Sequence, residues 1–168
     1  MKNIMNAASS IAFVMHILSG VLLVSMMFTI IADVISRAVY RASDGSIDFT
    51  FFGGIELVSY GLLYMILFSF PYSVSRSQVI VDFFTENMSE KTKSILAGIY
   101  TCGFGLLGLA MTIRFINAVE RVALTGETTQ DLLIPMTYIY GITAIATSML
   151  AVRGFLVGIE QIIESRKM

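Results

Sequence analysis

Four long apolar stretches divide the chain. Residues 11–32, 57–75, 94–113 and 132–152 contain no Asp, Glu, Lys or Arg. A helix needs roughly 20 predominantly apolar residues to cross the hydrocarbon core of a bilayer, and each stretch reaches about that length. Strands of a membrane barrel would alternate apolar and polar residues, whereas these runs are apolar all round. The pattern therefore predicts an all-α integral membrane protein with four transmembrane helices, spanning about 11–36, 50–75, 92–118 and 132–158 within one membrane domain over 1–168. The first run is longer than the roughly 7–15 residues of a signal-peptide core, and no Ala-x-Ala site follows it, so it reads as a retained span.

The connecting segments differ in character. The first is short and polar, with Asp44-Gly45 as a turn signal. The second runs Val79-Ile80-Val81-Asp82-Phe83-Phe84-Thr85-Glu86, bulky apolar residues around two carboxylates. That composition suits a short interfacial helix at about 78–88, between the second and third spans. Ser89 offers an N-cap for the third span. The third segment, Thr125-Gly126-Glu127-Thr128-Thr129-Gln130-Asp131, is a polar turn, and Pro135 fits the first turn of the last helix, where a missing N–H costs little.

Charge sets the orientation. The N-terminus, second loop and C-terminal tail carry Lys2, Arg76, Lys91, Lys93, Arg153, Arg166 and Lys167, against Arg37, Arg41, Arg114 and Arg121 on the other side. Seven against four places both termini in the cytoplasm by the positive-inside rule.

Composition reinforces the membrane assignment: the 168 residues are 56% hydrophobic and 14% charged, where a soluble domain carries about 25% charged residues. Mean hydropathy is +0.80. A net charge of −1 gives no footprint for nucleic acid. One cysteine, Cys102, excludes an intrachain disulfide, and one histidine, His16, is too few for a bis-histidine haem or a typical zinc site. No Walker A motif, Ser/His/Asp set or paired-carboxylate array appears, and no cofactor is expected on this chain.

Ionisable residues near the spans are the candidates for chemistry. Glu56 leads. A second helix starting near Asp48 would carry Glu56 roughly 12 Å along its axis, on one stripe with Tyr60 and Tyr64, and open to a cation or a partner helix. A helix starting near Gly53-Gly54 would leave Glu56 in the first turn, favoured by the helix dipole. Asp33 and Arg37 are spaced to pair on a helix face, either as an ion pair ending the first span or as a contact with another subunit. Arg114 and Glu120-Arg121 mark a helix emerging into water, and Arg153 can snorkel to the interface. Gly154 with Gly158, and Gly108 with Thr112, have the spacing that lets helix backbones approach in lipid. His16 reads as a polar contact in the bundle and Cys102 as a small packing residue.

Four segments in order resemble the small membrane subunit of TRAP (tripartite ATP-independent periplasmic) transporters, the DctQ-type family. Asp33-Val34-Ile35-Ser36-Arg37 closes the first span as a Val-x-x-Arg signature does there. Gly53-Gly54-Ile55-Glu56-Leu57 opens the second like a Glu-Leu element. Gln78-Val79-Ile80-Val81-Asp82 resembles a His-Val-x-Val-Asp segment, departing from it at Ser77-Gln78, where a Gly-His pair is usual. Gly126-Glu127-Thr128-Thr129 with Leu133-Ile134-Pro135 resembles a Gly-x-Thr-Thr…Ile-Pro lead into the last span.

The resemblance implies a non-enzymatic subunit of the bacterial inner membrane. Its partners would be lipid, a large permease subunit and a periplasmic substrate-binding protein. The large subunit would hold the sodium and substrate sites and move in an elevator-like way, taking up organic acids such as dicarboxylates or sialic acids by symport. This chain would help anchor the static scaffold. Asp33, Arg37, Glu56, Asp82, Arg114, Gly126 and Pro135 are the expected interface or structural residues. The competing expectations are a small autonomous ion or proton carrier using Glu56, and a membrane anchor for another complex.

Overall fold

A computed structural model describes residues 2–46, 49, 53–76 and 89–165. Four helices order the chain: α1 (Lys2–Ala42), α2 (Gly54–Ser73), α3 (Glu90–Thr125) and α4 (Met136–Ser165). A 3₁₀ turn, Val74–Arg76, extends α2. All four helices are long and apolar enough to span a membrane. The anticipated interfacial helix at 78–88, and Asp82 within it, lie outside the described residues.

The helices are unequal. At 1.5 Å per residue, the 20 residues of α2 reach about 30 Å, close to one hydrocarbon thickness, while the 41 residues of α1 reach about 60 Å. Helices α3 and α4 form the tightest pair, α1 packs mainly on α2, and α2 joins the two hairpins through α4.

Small residues explain the α3–α4 pairing. Gly98, Thr101, Gly105, Gly108 and Thr112 are all buried. Their spacing alternates three and four, a repeat of 3.5 that keeps one seam facing its partner. Helix association in lipid has no hydrophobic drive and depends on close packing and interhelical hydrogen bonds. Both are present here. A Cβ placed on Gly154 would stand 2.5 Å from the Gly105 nitrogen, and one on Gly108 2.7 Å from the Ala151 nitrogen. The Thr112 hydroxyl donates to that of Thr147 at 3.0 Å, Ser94 donates to the Gln161 carbonyl at 3.0 Å, and Thr101 donates to the Gln161 side chain at 3.1 Å. The two small-residue pairs expected from spacing lie on this seam, and the Cys102 sulfur packs against Gly158.

Packing of α1 on α2 is lighter. Ala8, Ala12, Ser19 and Met26 are its buried positions, and the Met26 thioether lies over Gly61. His16 stacks on Tyr72 with ring centroids 4.9 Å apart, a ring contact where a polar one was expected, and its buried Nδ1 has no hydrogen-bond partner among the described residues. Most of the remaining face of α1, including Phe28, Ile31, Val34 and Ile35, is exposed and apolar, as suits surface that meets lipid or another membrane chain.

Candidate functional site

The polar turn before the last span is held by a side chain from far away in sequence. Gly126 ends α3 in the left-handed conformation, φ 69°, with its N–H bonded to the Val122 carbonyl at 2.9 Å. Such a residue lets the chain leave a helix sharply at little steric cost. Beyond it, Thr128 and Pro135 form an antiparallel bridge. The Thr129 N–H donates to the Ile134 carbonyl at 2.9 Å, the Ile134 N–H to the Thr129 hydroxyl at 3.1 Å, and the Met136 N–H to the Glu127 carbonyl at 3.0 Å.

These bonds fold residues 127–136 into an arch, and the consecutive N–H groups at its crown converge on Glu56. Gln130 donates to Oε1 at 2.9 Å, and Asp131 and Leu132 donate to Oε2 at 3.2 and 2.8 Å. Successive backbone N–H groups arranged in this way form a concave anion seat. Bonds to a carboxylate are the stronger, charge-assisted kind. Both oxygens of Glu56 are engaged by the protein itself.

Glu56 reaches the arch because of where α2 begins. The helix starts at Gly54, after Gly53 at φ 82°, so Glu56 stands in the first turn. Of the two starts the sequence allowed, the later one holds. Gly53 also sits under Leu132, whose Cδ2 would lie 2.6 Å from a Cβ at that position. Gly53→Ala should therefore cost about 1–3 kcal/mol, from left-handed strain and the displacement of Leu132. Thermal unfolding in detergent would measure it, and an unchanged melting temperature would show that the fit under Leu132 is loose.

Tyr60 and Tyr64 continue the stripe of Glu56 but turn to α4. The Tyr60 hydroxyl approaches the Met136 sulfur at 3.6 Å and that of Tyr64 the Ile139 carbonyl at 3.5 Å, both long contacts. With Glu56 they set α2 against the start of α4. A cleft of about 490 Å³ remains beside the carboxylate, walled by Ser59, Tyr60, Glu127 and Met136.

Two expectations are corrected. Pro135 stands before the last helix, not in its first turn. Leu133 at φ 54° and the Thr128–Pro135 bridge keep residues 132–135 out of the helix, which starts at Met136 and not near 132. Arg153 does not snorkel. It is 4% exposed, and its Nε lies 3.4 Å from the carbonyl of Pro71 in the last turn of α2. A helix end leaves carbonyls without intrahelical partners, and a cation there meets both the free oxygen and the dipole. Since Arg153 is a bundle residue, the positive-inside count falls from seven against four to six against four.

The other candidates scatter. Asp33 and Arg37 form an ion pair of 2.8 Å on α1, beside Leu57 of α2, near the same end of the bundle as Glu56. Gly126 and Pro135 bracket the arch that Glu56 holds. Arg114 is exposed on α3, and the helix runs on for eleven residues beyond it. Sequence reasoning missed the amides of residues 130–132, which carry no side-chain signature, and the inward turn of Arg153. A lone charge in an otherwise apolar run was the available signal for Arg153.

Comparison with known families places these features in context. A family model described as "Tripartite ATP-independent periplasmic transporters, DctQ component" matches residues 26–166, which include the ion pair on α1, Glu56, the arch and Arg153. No curated protein and no solved structure matches the chain.

Proposed function

The chain belongs to the DctQ component family of tripartite ATP-independent periplasmic transporters, and from that premise we propose that it is a rigid scaffold for the larger permease subunit. The family is one of transporter components and not of enzymes. In this reading the large subunit carries substrate and sodium and moves, while this chain stays still. Substrate would be an organic acid delivered by a periplasmic binding protein. The chain would lie in the bacterial inner membrane with both termini cytoplasmic and the arch on the periplasmic side.

One observation supports the reading above others: Glu56, the acid best placed to bind a cation, is already spent. Its two oxygens accept three backbone N–H groups of the chain's own loop. A carrier would need those lone pairs for its solute. The interior hydroxyls tell the same story, since Thr112, Thr143 and Thr147 bond to each other or to their own helices. Polar groups committed in this way stiffen a bundle and leave little to line a path through it.

The test is reconstitution. Proteoliposomes holding this chain, its large subunit and the binding protein should take up organic acid on a sodium gradient. Vesicles holding this chain alone should show no uptake, and the chain should co-purify with the large subunit. Sodium-driven uptake by the isolated chain would refute the scaffold role.

A further inference from the structure

Helix α3 carries a second stripe, on the side away from its seam with α4. Gly103, Leu107, Ala110, Arg114, Asn117 and Arg121 are spaced by alternating fours and threes, and all six are exposed. That 3.5 repeat keeps one line of side chains facing outward along the helix. The upper half of the stripe is polar. The Arg121 Nε lies 3.4 Å from the Asn117 carbonyl on the same helix. Arg114 has no hydrogen bond or ion pair among the described residues, where the ion pairs are Asp33–Arg37 and Glu90–Lys93.

Depth makes this stripe costly. The approaches of Gly105 to Gly154, Gly108 to Ala151 and Thr112 to Thr147 hold α3 and α4 in antiparallel register, which sets Arg114 level with Ile145. That level falls between Ile139, which meets Tyr64, and Arg153, which meets Pro71, so Arg114 stands beside the interior of α2. At 1.5 Å per residue, about 12 Å of bundle separates it from the level of Arg153 and about 14 Å from that of Met136. Sliding the bundle until Arg114 reached the outer interface would lift exposed Phe28, Ile31 and Val34 of α1 out of the hydrocarbon. A cation facing acyl chains at such depth is expensive, and ionisable groups inside a membrane pair with others. The stripe is therefore a surface for protein and not for lipid.

Charge selects the occupant. In a second copy related by a two-fold axis along the membrane normal, every residue keeps its depth. Arg114 would then meet the level of Arg114, and the Glu120 of that copy would stand six residues, about 9 Å, away. Lipid phosphates lie at the interfaces, outside the hydrocarbon core. What fits is a different membrane chain that brings a carboxylate to this depth. Below Arg114 the stripe is small or apolar, and a Cβ on Gly103 would have nothing within 4 Å, so a helix can approach closely there.

We propose that this outward face of α3 is the docking surface for the large permease subunit, through a membrane helix that sets an Asp or Glu against Arg114 and packs on Gly103 and Ala110. The proposal rests on the scaffold reading and names the surface that reading needs. The experiment titrates the full chain in detergent against the purified large subunit. Arg114→Gln should raise the dissociation constant about thirtyfold or more, as loss of one partner of a buried charge pair does. Arg114→Glu should weaken binding further, and Lys in place of the opposing carboxylate of the large subunit should restore it. Gly103→Leu should weaken binding about tenfold by bulk alone, with the melting temperature of the isolated chain unchanged, and it carries the test if Arg114→Gln fails to fold. Lys91→Gln, near the start of α3, should bind as wild type does. Wild-type affinity in both Arg114→Gln and Gly103→Leu would overturn the docking face and leave the scaffold reading standing. No binding by the wild-type chain would remove that reading and this proposal together. A dimer of the isolated chain that Arg114→Gln disperses would give the face to a second copy and overturn the assignment.

Discussion

Leucine in place of Gly154 is expected to separate α3 from α4 and to destabilise the chain by about 3 kcal/mol or more, the upper range for overpacking. The first atom of the new side chain would stand 2.5 Å from the Gly105 nitrogen and 2.6 Å from its Cα. Backbone on both sides cannot yield as a flexible side chain would, so the helices must part. Parting them also strains the bond between Thr112 and Thr147. Gly141 is the matched control, in the same helix but with nothing within 4 Å of a Cβ. Gly141→Leu should stay within about 0.5 kcal/mol of wild type. Unfolding in detergent, followed by helicity, compares the two. Equal stability of both variants would mean that the seam is not what fastens the hairpin.

Glu56→Gln should release the arch without melting the helices. A carboxamide keeps one acceptor oxygen and turns an N–H₂ toward an N–H that now has no acceptor, so at least one of the three backbone bonds is lost. Hydrogen exchange at Gln130, Asp131 and Leu132 should speed up about tenfold or more, as local opening replaces a closed loop. Helix content should be unchanged, and recovery of the complex with the large subunit should fall. Transport lost with exchange at those amides unaltered would return Glu56 to the role of an ion carrier. Together the two substitutions separate the fastening of the bundle from the shaping of its exposed end.

Much of this fold was legible in the sequence because a bilayer leaves few choices. Runs without charge become helices, and Ser89 does cap α3, accepting from the Thr92 N–H at 3.4 Å. The Gly154–Gly158 and Gly108–Thr112 pairs announced a close seam, although not what each would face: Gly154 meets Gly105 and Gly158 meets Gly98 and Cys102, while Gly108 meets Thr147 and Ala151. The motifs around Glu56 and around Gly126–Pro135 also stood out, by resemblance. That they form one site did not, because the bonds join residues 74 to 76 apart and depend on how the helices lie together. Arg153 was misread for a similar reason. Its position near the end of an apolar run suggests an interface, but α2 ends level with it and brings the Pro71 carbonyl within 3.4 Å of its Nε, which no local pattern reveals. Leu133 at a positive φ has no compositional signal either, since leucine is a poor choice for that conformation.

The contacts of α2 have a consequence for how the chain is made. Every bond described from α2 to the second hairpin, from Glu56 to the arch, from Tyr60 and Tyr64 to α4 and from Pro71 to Arg153, waits for residues at least 74 positions downstream. During synthesis the second helix must therefore stay in the membrane with its partners unborn, a loosely held guest beside α1. Completion comes late, when the final helix is threaded in and carries a guanidinium to a carbonyl that has been waiting for it. A chain truncated before that point would keep its first three crossings and still have no finished bundle.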